Sequence, residues 1–290
     1  MPDALQRVET ALTAAIVGAG GIGAPPRLAA ALQHAVFPGG ARIRPRLCLA
    51  VADACAEDMP GLSDAAAAAI ELLHCASLVH DDMPCFDDAT LRRGRASVHH
   101  RFGANVALLA GDALIVLAFE TLGHAAPSSP QRLAQILLIL ARSSGMPGGI
   151  VGGQGWECET DVDLGAYARA KTGALFAGAT MVGAAAAGAE PEPWRLFGER
   201  LGEAYQVADD IADTRSGAAE IGKPIGRDLA LGRPNAVLRL GLSGALRRLQ
   251  ALVEGATASI PPCRDPDGLR RLILVEVQRL LPKDTVLRAA

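Results

Sequence analysis

Aromatic side chains are nearly absent: two Trp, two Tyr and six Phe make up 3% of a 290-residue chain that is half hydrophobic. A core of that composition must be assembled from Ala, Leu, Val and Ile, and Ala and Leu are strong helix formers. Alternating apolar and polar runs, the mark of half-buried strands, are almost missing too. Nor is there an excess of basic charge. Lys and Arg number 28 against 31 Asp and Glu, a net of −3 that argues against a nucleic-acid partner. Cys48, Cys55, Cys75, Cys85, Cys158 and Cys263 form no CxxC pair and no zinc-like spacing. Their even number would permit disulfides in a secreted protein, but they read as reduced, mostly buried thiols. The richest apolar run, Ala66 to Val79, contains Glu71 and His74. It falls short of the roughly 20 residues a bilayer needs, so no membrane span is expected. Asp3, Arg7 and Glu9 precede the first apolar stretch in place of a basic leader, which points to the cytoplasm.

What is present is helical periodicity. Leu5, Val8, Leu12, Ala15 and Ile16 fall on one stripe, and Leu28, Ala31, Leu32 and Ala35 on another. Further helices are predicted over 46–56, 62–80, 104–122, 130–144, 164–187, 192–213 and 266–281. Breakers stand between them at Pro38-Gly39-Gly40, Pro60-Gly61, Pro127 to Pro130, Gly145 to Gly153 and Pro261-Pro262. No internal repeat is visible, and the length suits one sizeable core. The expectation is a single all-α domain over residues 1–290.

Gly18-Ala19-Gly20-Gly21-Ile22-Gly23 spells the GxGxxG of a dinucleotide-binding turn. That reading also needs an acidic residue about 20 positions on, yet no Asp or Glu occurs between Glu9 and Asp53. A loop between two helices is the better reading, with Pro25-Pro26 opening the second.

Two acidic clusters far apart in sequence bear the chemistry. Asp81-Asp82-Met83-Pro84-Cys85-Phe86-Asp87-Asp88 and Asp209-Asp210-Ile211-Ala212-Asp213 each close an apolar helical run. Asp209 and Asp213 are i and i+4, hence on one helical face, with Asp210 at its shoulder. Pro84 breaks the first helix, which lets Asp87 fold back beside Asp81 and Asp82. A lone Asp pair at a helix end is commonly a solvated cap. Carboxylates gathered without Cys or His ligands suit Mg2+, which is usually held by one or two carboxylates, waters and substrate phosphates.

Cations follow each cluster: Arg92-Arg93-Gly94-Arg95 after the first, Lys223 and Arg227 after the second. A third basic element, Gly39-Gly40-Ala41-Arg42-Ile43-Arg44-Pro45, sets two arginines at a helix start, where anions are favoured. Any one of these would pass for solvated surface charge. Three basic elements matched to two acidic ones imply a pair of diphosphate substrates.

In this order the motifs resemble those of the polyprenyl synthetase family, most closely the geranylgeranyl diphosphate synthases of bacterial carotenoid pathways. The matching stretches are Gly39 to Pro45, His74 to His99, "AGDALI" at 110–115, "GGQ" at 152–154, "KTGALF" at 171–176, and "YQVADDIAD" with "GKPIGRD" within 205–228. The resemblance implies an isoprenoid-synthase helical bundle with a central substrate cavity, acting as a homodimer. It implies a Mg2+-dependent prenyltransferase joining isopentenyl diphosphate to allylic diphosphates, with three ions per active site. Asp81, Asp82, Asp87, Asp209, Asp210 and Asp213 would hold metal. Arg92 and Lys223 would grip the allylic diphosphate. Arg44, His74 and Arg93, with Arg42 nearby, would bind isopentenyl diphosphate. Lys171, Thr172 and Gln206 would face the reacting carbons. The chain departs from the family at Ala41, where a lysine contact to isopentenyl diphosphate is usual; Arg42 is the candidate replacement, or affinity for that substrate is weaker. Arg227 and Arg233 stand where lysine is common.

Product length is read along the helix that ends at Asp81. Ala76 lies five residues earlier, roughly 7.5 Å deeper at about 1.5 Å per residue, beside Ser77. Both are small where fifteen-carbon relatives commonly have an aromatic, so a twenty-carbon product is expected, with Leu73 and Phe119 as candidate floor. Farnesyl synthesis, a class I terpene cyclase and a non-catalytic synthase subunit are the competing readings.

Overall fold

The helix over Pro60–Asp81, α4, is the element around which the others are arranged, and Leu62, Ile70, Leu72, Leu73, Cys75, Ala76 and Val79 are all buried in it. Each large aliphatic side chain so buried contributes about 1.5–3 kcal/mol. The computed structural model describes residues 3–125, 129–161, 166–167, 169–215 and 235–280. Ahead of α4 come α1 (Ala4–Ala19), α2 (Pro26–Val36) and α3 (Ile43–Ala54). A hairpin of β1 (Leu91–Arg92) and β2 (Arg95–Ala96) follows it, then α5 (Val98–Phe102), α6 (Ala104–Ala125), α7 (Pro130–Ser144) and α8 (Ile150–Trp156). A π-helical turn, Arg169–Gly173, leads into α9 (Ala174–Ala186), and α10 (Arg195–Arg215), α11 (Ala236–Ala258) and α12 (Pro266–Leu280) complete the described chain.

The sequence explains where these helices start. Pro26, Pro60 and Pro130 sit in the first turns of α2, α4 and α7, where a missing N–H costs nothing. Asn235 caps α11, its side-chain oxygen accepting from Val237 N at 2.9 Å and Leu238 N at 3.1 Å. All residues from Leu175 to Ala186 in α9 are buried, because their small side chains let α9 pack against α3, α4, α7 and α10. Across the bundle, α4 lies along α6 and α10 along α11.

The all-α expectation holds, and Gly20 to Gly23 form a loop between α1 and α2. Several boundaries differ. α3 begins at Ile43, three residues before the predicted start, and the π turn interrupts the segment predicted over 164–187. α8 lies partly inside the stretch read as a glycine breaker. α11 escaped prediction because Gly241 and Gly244 weaken its pattern; Gly241 has φ 66°, outside helical geometry. Only Cys48 and Cys75 are buried; Cys55 and Cys263 are half-buried, Cys85 and Cys158 exposed, and all six are free. α4 and α6 are each long and apolar enough to cross a bilayer, a test that the core helix of a globular protein also passes. α4 is a core helix, and α6 exposes Leu108, Leu109 and Val116.

Candidate active site

Asp81 and Asp82, adjacent in sequence, do different work. α4 ends at Asp81, and the chain past Pro84 folds back as the spacing predicts: Asp87 N donates to Asp81 O at 2.9 Å and Ala89 N to Asp82 O at 3.1 Å. Asp82 turns inward, 2% exposed, and the Arg92 fork closes on it, Nε lying 3.0 and 3.1 Å from its two oxygens with Nη2 on the first as well. Burial pushes the Asp82 carboxyl above its ordinary value, and Arg92 opposes that rise. Asp82, expected on the metal, and Arg92, expected on the allylic diphosphate, pair with each other, and Arg92 Nη2 also lies 3.7 Å from Asp81 Oδ2. Asp81 remains in the cleft, with the Lys171 ammonium 3.0 Å from Oδ1.

The hairpin next to this cluster turns at Arg93 (φ 53°) and Gly94 (φ 73°), the paired positive values of a type I′ turn. The Arg93 side chain then lies across Gly40, where an added Cβ would stand 3.0 Å from Nε. An added Cβ on Gly39 would collide with the Arg42 guanidinium. The glycine pair thus makes room for two arginines. Arg42 is buried: Nε meets Glu9 at 2.8 Å, Nη1 meets Glu71 at 2.7 Å and Nη2 meets Val36 O at 2.8 Å. Burial works against its charge, and the attraction of Glu71 with the hydrogen bonds Arg42 donates to Glu9 and Glu71 overcomes this and raises its pKa. Arg42, the candidate replacement for the lysine absent at Ala41, is therefore engaged in holding α1, α3 and α4 together. Arg93, Arg92, Asp82, Cys75 and His34 border a small open cleft between the hairpin, α2 and α4.

Arg44 is placed differently. Its guanidinium stacks 4.4 Å from the Phe176 ring centre and 5.9 Å from that of Tyr205, with Nη1 3.4 Å from His74 Nε2. Burial lowers its pKa, and burial followed by the fields of Arg44, Arg93, Arg92 and Arg42 lowers that of His74 well below 6.5. His74 is thereby a neutral imidazole that accepts from Arg44. Arg44 Nε is buried and meets no acceptor among the described residues. An orphaned, buried N–H on a cation, with Arg93 adding to the positive field, fits an incoming phosphate oxygen.

The two acidic clusters are joined through the π turn. Lys171 reaches Asp81, while the neighbouring Thr172 hydroxyl donates to Gln206 Oε1 at 3.0 Å. Gln206 Nε2 donates in turn to Asp210 Oδ1 at 3.1 Å. The other Asp210 oxygen accepts from Ala236 N at 2.7 Å, at the start of α11. Asp210, expected to bind metal, is 5% exposed and fastens α10 to α11. Asp209 is half-buried and feels the Arg44 cation. Asp213 lies in α10 one turn further on. Its side chain falls outside the described residues, as do Lys223, Arg227 and Arg233. Among the described residues no three Asp, Glu, His or Cys converge into a ready-made metal cage.

An aspartate at a helix end, aspartates on a second helix and a Lys-Thr turn linking them make up the candidate site. The model of the polyprenyl synthetase family covers residues 25–259. The chain belongs to this family. It is 53% identical to a geranylgeranyl diphosphate synthase of Cereibacter sphaeroides, over 98% of both chains, and 48% identical to one of Rhodobacter capsulatus, over 95% of this chain and 96% of the other. A Helicobacter pylori geranyltransferase, solved with magnesium and isoprenyl diphosphate, superposes with a TM-score of 0.81 at 27% identity, covering 96% of each chain.

One member of this polyprenyl synthetase's cleft was not found from sequence. Glu157, just past α8, accepts from Lys171 Nζ at 2.6 Å and from the Tyr167 hydroxyl at 2.7 Å on Oε1, and from Gln154 Nε2 at 2.8 Å on Oε2. Its signal lay in the GGQ motif, whose last residue is three positions upstream. Gly153 adds close backbone contact: a Cβ there would stand 2.5 Å from Lys171 N.

Proposed function

We propose that this chain is a Mg2+-dependent prenyltransferase that condenses isopentenyl diphosphate head to tail with allylic diphosphates, making geranylgeranyl diphosphate. The observation that supports it best is the unbroken path from Asp81 through Lys171, Thr172 and Gln206 to Asp210, which sets the two acidic helix segments across one cleft. Asp81 and Asp87 would hold metal on one wall, Asp209 and Asp213 on the other, with three ions as the expected number. Mg2+ bound there neutralises the charge that builds on the departing diphosphate. Lys171 adds a point charge on the same side. Arg44, His74 and Arg93 receive the isopentenyl diphosphate, whose oxygens satisfy the orphaned Arg44 Nε. The oxygens of Thr172 and Gln206 lie near the allylic cation, and Phe176 and Tyr205 keep water from it.

Ala76, small and 1% exposed, supports the twenty-carbon product, because its own side chain brings no ring to α4 below Asp81. The same reading takes residues 1–290 as one catalytic unit in a cytoplasmic homodimer; Leu108, Leu109 and Val116, exposed on α6, form apolar surface of the kind a second copy covers. Incubation with dimethylallyl diphosphate, labelled isopentenyl diphosphate and Mg2+, with products separated by chromatography, tests the proposal. A linear twenty-carbon diphosphate is expected. A fifteen-carbon end product would favour farnesyl synthesis, a cyclic hydrocarbon a terpene cyclase, and no incorporation a non-catalytic subunit.

A further inference from the structure

Lys171 serves two carboxylates at once. Its ammonium is 2.6 Å from Glu157 Oε1 and 3.0 Å from Asp81 Oδ1, and it lies 5.8 Å from the centre of the Tyr167 ring. Asp81 is also the carboxylate that the metal reading requires, so Lys171 sits where a divalent cation has to go. When the cation arrives, like charges repel and the ammonium must leave Asp81. A lysine on a four-carbon stem, set loose in this way, has several rotamers to lose before it can act on a diphosphate. Glu157 removes that problem. It is the shorter of the two contacts, and Tyr167 and Gln154 clamp both of its oxygens, so it keeps its place when Asp81 changes partner.

We propose that Glu157 is a positioning residue that takes over Lys171 from Asp81, so that metal entry at Asp81 costs little and the ammonium stays pointed at the diphosphate. The idea rests on the metal reading above. It is distinct from a purely structural role, in which Glu157 would only fasten α8 to the π turn. The two roles separate in a double-mutant cycle. Without Glu157 the only described anion left to Lys171 is Asp81, so lysine and metal compete more strongly for it. Without Lys171 the cation left at Asp81 is Arg92, 3.7 Å from Oδ2, which is in both backgrounds, so the change at Glu157 no longer alters the competition.

The test uses the full chain with inorganic diphosphate as probe, its binding followed by calorimetry at a series of Mg2+ concentrations. Glu157→Gln is expected to raise the Mg2+ concentration at half-saturation about fivefold, the size of a partly exposed ion pair. In a Lys171→Met background the same change should have no effect on that midpoint. Thermal melts of each variant report folding separately. An unchanged midpoint in Glu157→Gln, or an equal shift in both backgrounds, overturns the positioning role. Failure of the unaltered chain to bind diphosphate with Mg2+ overturns the metal reading and this inference together.

Discussion

The Thr172 hydroxyl donates to Gln206 Oε1 at 3.0 Å, while Lys171, its neighbour, reaches Asp81 on the opposite wall. Two adjacent residues of one π turn thus span the cleft. A regular α-helix would set successive side chains about 100° apart, and widened turns of this kind recur at functional sites. The consequence is that damage to either wall reaches the same reaction centre.

Asp81→Ala and Asp209→Ala should each lower kcat by about 10³-fold or more, as expected when charge stabilisation of a departing diphosphate is removed. Circular dichroism should show an intact helical fold, because neither side chain is fully buried. Asp82→Ala should behave differently: it strips the half-buried Arg92 of its nearest partner and should lower stability along with activity. Single-turnover rates and melting curves, taken together, distinguish these outcomes. Near-normal turnover in the first two variants would refute the metal assignment.

Ala76→Phe should shift the main product from twenty carbons to fifteen. The residue is 1% exposed, so the ring must share space with the growing chain or with the core. Overpacking is expected to cost about 1–3 kcal/mol, less than the fold can bear. Chromatography of dephosphorylated products reads the outcome; an unchanged twenty-carbon product would remove Ala76 as the ruler.

What could be read from sequence follows the range of each interaction. The return of Asp87 to Asp81 was legible because Pro84 forces a turn inside a short stretch, and the backbone bond between them confirms it. The i, i+4 placement of Asp209 and Asp213 was equally local. The burial of Arg42 was not legible because its partners Glu9 and Glu71 lie 33 and 29 residues away, and no pattern marks a buried arginine from a substrate-facing one. The link from Asp210 to the start of α11 was hidden for the same reason, since the backbone N–H it accepts from is that of Ala236, 26 residues on. Glu157 stood unnoticed because a single carboxylate after a glycine-rich turn has no periodicity to betray it.

Arg42→Ala separates structure from function at the isopentenyl end. It leaves Glu71 buried and unpaired beside Cys75, and should destabilise the fold by about 3–5 kcal/mol in denaturant titration. The KM for isopentenyl diphosphate in the folded fraction should stay within about twofold. Arg44→Ala is the contrast: its Nε has no acceptor to lose, so KM should rise by at least tenfold, the worth of one charge-assisted phosphate contact. A large KM effect from Arg42→Ala would return that residue to the substrate site.

His74 gives a pH signature with a defined sign. Burial and four arginines hold its pKa in the folded chain well below the ordinary value of 6.5. Its neutral form is therefore favoured by folding, and the unfolded chain binds the proton more readily. That contribution to stability is complete above pH 6.5 and is lost as pH falls toward the folded pKa. Melting temperature should accordingly drop as the solution is acidified from pH 7 to 5. His74→Gln, which can still accept from Arg44 but cannot titrate, should flatten that part of the profile. If the variant and the unaltered chain lose stability in parallel over this range, the acid response belongs to other groups, and a neutral His74 beside Arg44 is not what sets it.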